Sequence, residues 1–466
     1  MSEGSHESPP IPQFPDGFLW GVATSAYQIE GGVDLDGRGP SIWDVFCRRP
    51  GAVADGSDGS VAVEHRLRMR DDVALMAELG VPAYRFSVAW PRVQPDGAGT
   101  LSPSGLGFYH DLVDALLDAG VVPVATLYHW DLPQALEDAG GWPARDTAKR
   151  FGDYAAAVGE ALGDRVARWS TLNEPWCAAM LGYAAGVHAP GRTEPAAAVA
   201  AAHHLLLAHG IGVDALRASV TAAAPEIGVT LNPYPVVAAG DREGDHDAAR
   251  RVDGIANRIW YDPILRGRYP DDVLADLSST SDLAHIHDGD LAQISRPLDM
   301  MGLNYYRRHH ARHRAGASTT SPWPGSPDVE LVDPGGPVTD LGWAIEPDGL
   351  VESLVALTRD YEPPPLYVHE NGAAFPDRVG PDGQVHDLDR VAFLDAHVRA
   401  ARDAIDAGVD LRGFFAWSLL DNFEWAEGYR KRFGLVHVDY ETQRRTPKAS
   451  AVWFAELLRG QGASIA

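Results

Sequence analysis

Trp169-Ser170-Thr171-Leu172-Asn173-Glu174-Pro175-Trp176 is a short run of alternating apolar residues that ends abruptly in an amide, a carboxylate and a proline. With residues 165–172 as a strand, Asn173 and Glu174 stand at its C-terminal tip. Pro175 ends the ladder because it has no N–H to donate. Leu366-Tyr367-Val368-His369-Glu370-Asn371-Gly372 has the same shape, an apolar strand delivering a Glu to residues that tolerate a turn.

Outward from these stretches the chain repeats one unit: an apolar helical face, a glycine, then a short apolar strand. Val73, Met76 and Leu79 mark such a face, Gly80 ends it, and 83–88 is the strand. Leu112, Val113, Leu116 and Leu117 precede Gly120 and the strand 122–127, and 151–162 precedes Gly163 and the strand ending at Glu174. An Ala-rich helical region, 195–219, leads to 227–231, and a helix around Val252, Ile255 and Ile259 leads to 299–304. Helix 350–358 feeds the strand ending at Glu370, and helix 391–407 feeds 411–417. With 18–23 at the start, the strands reach the eight of a closed barrel, and their apolar runs are continuous, as in parallel strands covered on both faces. The fold class predicted is α/β, a single (β/α)8 TIM barrel with long βα loops. An open doubly wound sheet is disfavoured, since no Gly-x-Gly-x-x-Gly follows the first strand. No composition break divides the chain, so one barrel catalytic domain is expected over 14–460, behind a flexible lead-in at 1–13. Residues 308–342, rich in Pro, Ser and Gly, predict a long surface loop, and the acidic 241–247 a solvated loop.

Composition bounds the function. With 45% hydrophobic and 22% charged residues the 466-residue chain can bury a large core. No eighteen consecutive apolar residues occur, so no membrane partner is expected. The polar start at 1–10 lacks the basic-then-apolar pattern of a secretion signal, so a cytoplasmic location is expected. A net charge of −26 argues against nucleic acid, which needs clustered Lys and Arg. Cys47 and Cys177 make neither a disulfide framework nor a thiolate metal site, and each reads as a buried or idle thiol. His203-His204, and His309-His310 with His313, match no ligand spacing. No metal and no cofactor are expected.

In such a barrel the chemistry lies at the C-terminal strand ends. Those ends read Gln28, Arg85, His129 with Trp130, Asn173 with Glu174, Asn232, Asn304 with Tyr306, Glu370 and Trp417, and the last strand's extension adds Glu424 and Trp425. Amides and carboxylates pair with hydroxyls in a fixed plane, while an indole face covers the C–H side of a sugar ring. Singly, each residue has a duller explanation: a carboxylate in an ion pair, a Trp or His in the core. Jointly, two carboxylates at strand tips are the equipment of glycoside hydrolysis.

Several segments carry a resemblance: 18–31 (Phe18-Leu19-Trp20-Gly21 onward), Tyr84-Arg85-Phe86-Ser87-Val88-Ala89-Trp90-Pro91-Arg92, Thr171-Leu172-Asn173-Glu174-Pro175, Asp262-Pro263-Ile264-Leu265, Gly302-Leu303-Asn304-Tyr305-Tyr306, Glu370-Asn371-Gly372, and 417–425. In these, and in their order from 14 to about 458, the chain resembles the family 1 glycoside hydrolases, the β-glucosidase family. The resemblance implies a retaining β-glycosidase acting on neutral β-D-glucosides, with β-galactosides and β-fucosides as further substrates. It implies Glu174 as acid/base and Glu370 as nucleophile, with carboxyls about 5–5.5 Å apart. The acid's pKa would lie near about 6–7. Arg85 is the expected counter-charge and Tyr306 a donor to the nucleophile. Gln28, His129, Trp130, Asn173, Asn304, Glu424 and Trp425 would bind the sugar and Trp417 would floor it. Trp176, Trp343 and Phe433 would line the leaving-group side. Relatives acting on 6-phosphorylated sugars carry Ser where this chain has Glu424, so a neutral sugar is implied. The rivals are a 6-phospho-β-glycosidase, a transglycosylase, and a weak sugar-binding protein on the same scaffold. His369 departs from the small residue usual before the nucleophile. Because neighbours on a strand point to opposite faces, a structural role is expected for it.

Overall fold

The computed structural model describes residues 11–317 and 321–463. Eight parallel strands form a closed barrel: β1 (Leu19–Ala23), β2 (Ala83–Ser87), β3 (Val122–Tyr128), β4 (Arg168–Asn173), β5 (Glu226–Leu231), β6 (Met300–Asn304), β7 (Leu366–Asn371) and β8 (Leu411–Trp417). Each pairs with its neighbours in sequence, and β8 returns to β1 from Leu19 opposite Gly413 to Ala23 opposite Trp417. Helices cover the outside: His65–Leu79, Pro103–Asp118, Arg145–Leu162, Pro195–Ser219, Asp348–Tyr361, Leu388–Asp406 and Ala449–Gly460, with shorter ones between β5 and β6. β2 and β7 are buried along their whole length, including their polar residues Arg85, Ser87, His369, Glu370 and Asn371. Pro195–Ser219 is long and apolar enough by composition to cross a bilayer, but most of it is buried inside the protein. Its His203 bonds Tyr269 Oη and Asp290 Oδ2 at 2.9 and 2.8 Å, a core role.

Inside the barrel Ala23, Ala83, Val124, Met300, Tyr367 and Phe415 pack into a plug, with Trp417 and Phe433 in the same cluster. His369 joins this interior. Its Nδ1 lies 2.8 Å from Thr230 Oγ1, and its ring meets the Phe415 ring edge-on at 5.6 Å. Gly302 makes the room, since a Cβ there would lie 2.1 Å from His369 Nδ1. The role is structural, but simple alternation does not describe this strand. β7 shifts register against both neighbours between Val368 and the residues after it, and such a bulge re-aims the Glu370 side chain.

Two predicted loops are partly ordered elements. Within 308–342, His309–His313 and Val329–Leu331 form a small sheet with Val236–Ala238. Strands of three to five residues are too short to leave a readable period. Residues 318–320 lie outside the described residues. Most of the acidic 241–247 is the start of a helix, Glu243–Asp253, whose first turn carries Glu243 and Asp245. Acidic side chains favour a helix N-terminus through its partial positive charge. Of the expected lead-in, 1–10 lie outside the described residues, while Gln13 donates to the Gly460 carbonyl at 2.9 Å.

The segments after β7 and β8, which carry residues over the barrel mouth, are tied by a buried charge network. Lys448 Nζ donates to Asp421 Oδ1 at 2.7 Å and also to Asp377. Arg390 pairs with Asp377 at 2.8 Å and with Asp387, and Arg432 with Asp421 at 2.6 Å. Removing one member strands its partners without water, which costs about 3–5 kcal/mol. Lys448→Met is therefore expected to lower the urea midpoint strongly, whereas Arg359→Ala, at an exposed pair, leaves it unchanged. Equal midpoints for the two variants would contradict this account of the network.

Candidate active site

Glu174 and Glu370 face one cavity of about 410 Å³ at the C-terminal mouth of the barrel. The backbone is bent to put them there. Glu174 follows β4 with φ of 45°, and its N–H donates to the Thr230 carbonyl of β5 at 2.9 Å. Trp130 and Trp425, also on the wall, have φ of 75° and 48°. Left-handed conformations in non-glycine residues each cost about 1–3 kcal/mol and cluster where a site holds its side chains in place. Gly372, after β7, meets a different limit: a Cβ there would lie 1.7 Å from the Trp417 carbonyl oxygen, so Glu-Asn-Gly has no space for another residue.

The two carboxyls stand in different company. Arg85 Nη1 donates to Glu370 Oε1 at 2.6 Å, and Tyr306 Oη donates to Oε2 at 2.8 Å. Both side chains of the Arg85–Glu370 pair are almost fully buried. Burial pushes the Glu370 pKa up, and Arg85, Tyr306 and Asn304 offset part of that rise. Glu174 has no ion pair among the described residues. It accepts from Asn304 Nδ2 at 2.7 Å and from Cys177 Sγ at 3.1 Å. Burial, and then the charge of Glu370, push its pKa up to about 8. This exceeds the range that the resemblance implies, burial being the larger cause and the Glu370 charge the next. Glu424 is likewise pushed up to about 8, by burial and by the Glu370 and Glu174 charges.

One hydrogen-bonded chain links these groups. Arg85 Nη2 donates to Asn173 Oδ1 at 2.7 Å, and Asn304 Nδ2 donates to the same oxygen at 3.0 Å. Asn173 Nδ2 lies 3.1 Å from His129 Nε2, and burial keeps that imidazole neutral by lowering its pKa well below the usual value. The Asn173 carbonyl accepts from Trp130 Nε1 at 3.0 Å. Residues from β2, β3, β4, β6 and β7 are thereby fixed against one another.

Of the residues singled out in the sequence, Glu174, Glu370, His129, Trp130, Tyr306, Trp417, Glu424, Trp425, Trp176, Trp343 and Phe433 line the cavity. Arg85, Asn173, Asn304 and Gln28 stand behind that wall. Gln28 sits not on a strand end but in the short helix Ala26–Ile29. There its Nε2 reaches Asn422 Oδ1 and the Phe423 carbonyl, both at 2.9 Å, and Glu424 Oε2 at 3.4 Å. Cys177 is buried, the first of the two readings its sequence allowed, and it has a partner. Burial keeps it protonated, and its S–H contacts the Glu174 carboxyl. Its place three residues after Glu174 was the available signal, since one helical turn returns a side chain to the same face. Tyr234 and Arg307 also line the cavity. Arg307 directly follows Tyr306, but no feature of its own distinguishes it among the arginines of 307–314. No group of three or more His, Cys, Asp or Glu among the described residues is placed to hold a metal ion.

The sequence profile of glycosyl hydrolase family 1 matches residues 11–463. The chain is 51% identical over 450 residues to thermostable beta-glucosidase B of Thermobispora bispora, covering 96% of this chain and 91% of that one. It is 48% identical to a bifunctional beta-D-glucosidase/beta-D-fucosidase of Bifidobacterium breve, covering 97% and 99%. Among solved structures, a psychrophilic beta-glucosidase from Micrococcus antarcticus superposes with a TM-score of 0.93 at 47% identity, covering 96% and 98%. The family 1 beta-glucosidase of Thermotoga maritima in complex with isofagomine lactam gives 0.92 at 43% identity, covering 97% and 100%. The closed barrel, the paired carboxyls at its mouth and these matches along nearly the whole chain make it a member of glycosyl hydrolase family 1.

Proposed function

We propose that this chain is a retaining β-glycosidase that hydrolyses neutral β-D-glucosides, with β-D-fucosides and β-D-galactosides as further substrates. The observation that carries the reading is the asymmetry of the two cavity carboxyls. Glu370 has a guanidinium and a phenol to hold a negative charge, whereas Glu174 has neutral donors only and a raised pKa. Both carboxyls are raised by burial, but only Glu370 has a cation to favour its ionised form, and such a difference between two carboxyls is what acid-assisted displacement requires.

In the first step a Glu370 oxygen forms a bond to the anomeric carbon as the bond from that carbon to the aglycone oxygen breaks. The Glu174 proton passes to the departing oxygen. In the second step a water gives its proton to Glu174 and bonds the anomeric carbon, and the ester bond to Glu370 breaks. Two inversions return the β-anomer. His129, Trp130, Glu424 and Trp425 bind the sugar hydroxyls over Trp417, with Gln28, Asn173, Asn304 and Arg85 holding them from behind. Trp176, Trp343 and Phe433 receive the leaving group. A neutral sugar is favoured because a phosphate brought beside Glu424 would have to keep that buried carboxyl protonated and would add its charge to that of ionised Glu370 in one dry space. The relatives named as glucosidases, and the one named also as a fucosidase, support the substrate class. Short β-linked glucose oligomers fit the same reading, since other relatives are named 1,4-beta-D-glucan glucohydrolase. Two unpaired thiols support a reducing, cytoplasmic setting.

Glu174→Gln is expected to lower kcat/KM on glucosides with poor leaving groups by about 10²–10⁴, with less loss on dinitrophenyl glucoside. Azide should restore turnover of the latter and yield β-glucosyl azide. An α-azide product, or equal loss on both substrates, would overturn the assignment. Because Glu174 acts protonated, kcat/KM of the unmodified protein should fall as pH rises through about 8. That alkaline limb should vanish from the Glu174→Gln profile on dinitrophenyl glucoside. A limb that persists there belongs to another group.

A further inference from the structure

Arg307 is a cation that the mechanism does not use, and its guanidinium lines the cavity. It lies over the Trp343 ring, 4.9 Å from the centroid. The fully buried arginines are matched by carboxylates, Arg85 by Glu370, Arg92 by Glu30 and Arg390 by Asp377, whereas Arg307 is half-buried at the cavity. The next residue, Arg308, pairs with Glu346 and Glu352. Arg307 has no carboxylate within ion-pair distance among the described residues, in a chain where Asp and Glu outnumber Lys and Arg by 65 to 39. Withdrawing a guanidinium from water without a counter-ion is costly. Burial accordingly pulls its pKa below the usual arginine value, although a guanidinium stays charged at any working pH.

The position gives the vacancy a meaning. Arg307 follows the tyrosine that bonds Glu370 and lines the same cavity, on the wall shared with Trp343. Across the wall Tyr234 meets Trp176 at 5.7 Å between ring centroids. These rings suit a flat aromatic group, and a guanidinium in the same cavity suits an anion carried by that group, where two parallel N–H donors match a carboxylate. The carboxyls that share the cavity are Glu174, Glu370, Glu424 and Glu427. Glu370 is already taken up by Arg85.

Resting on the glycosidase reading above, we propose that Arg307 is a specificity-determining residue that selects β-glucosides whose aglycone is an aromatic ring bearing a carboxylate. The carboxylate completes the ion pair that the protein leaves open, while the ring lies among the tryptophans of the leaving-group side.

The test compares 4-carboxyphenyl β-D-glucoside with its neutral isostere, 4-carbamoylphenyl β-D-glucoside, by the ratio of their kcat/KM values. The neutral substrate corrects for any general damage in a variant. Arg307→Gln is expected to lower the carboxylate-to-amide ratio at least about tenfold relative to the unmodified protein, as loss of a charge-assisted pair requires. Arg307→Lys should keep part of the preference, since it retains the charge without the fork. Raising KCl should lower the ratio in the unmodified protein and leave it constant in Arg307→Gln. A ratio that Arg307→Gln does not change, with both substrates still cleaved, would overturn the role of Arg307 alone. Failure of the unmodified protein to cleave either substrate would overturn the glycosidase reading, and this inference with it.

Discussion

Barrel closure forces several acids into one dry space around the guanidinium of Arg85, and most of the site follows from how that charge is shared. Arg85 is given to Glu370 at 2.6 Å, and its second nitrogen goes to Asn173. Glu174 and Glu424 are left to burial and to repulsion from Glu370, which raise both. Buried acids of like charge cannot all ionise, so one environment supplies the anion and the others keep their protons. The scaffold makes the choice permanent: Arg85 comes from β2, Asn173 from β4, Asn304 from β6 and Glu370 from β7, and each strand is pinned by parallel neighbours on both sides.

The same economy extends outward. Where the protein places a buried arginine for its own architecture, it supplies the carboxylate as well, as around Arg390, Lys448 and Asp421. Where it leaves a cation facing the cavity, as at Arg307, the counter-charge is proposed to come from what binds. On the readings proposed above, Arg85 and Arg307 mark two uses of one residue type, one fixing the protonation of the carboxyl pair and the other reading the group that departs.

Much of this was legible in the sequence because strand and helix periods repeat. The eight strands, the closed barrel and the tips carrying Glu174 and Glu370 could be read from apolar runs ending in polar residues. What escaped has physical reasons. The small sheet of Val236–Ala238, His309–His313 and Val329–Leu331 is too short for a period to show. The helix at Glu243 reads as a solvated loop because its first-turn acids, which favour a helix start, also look like a polar surface. The bulge in β7 cannot be seen from residue types, so His369 was expected on the face away from the site, while it lies among the side chains of the barrel interior. A contact made only in three dimensions, such as that of Arg307 with the Trp343 ring, has no sequence signature at all, whereas Cys177 stands one helical turn after Glu174.

The division of labour between the two carboxyls is tested most directly by removing one of them and supplying a substrate that mimics the intermediate. Glu370→Gly incubated with α-D-glucosyl fluoride and an aryl glucoside acceptor should lose hydrolysis of β-glucosides yet form a β-linked disaccharide, because Glu174 still activates the incoming hydroxyl. Continued hydrolysis of β-glucosides by that variant, or an α-linked product, would contradict the assignment of Glu370 as the nucleophile.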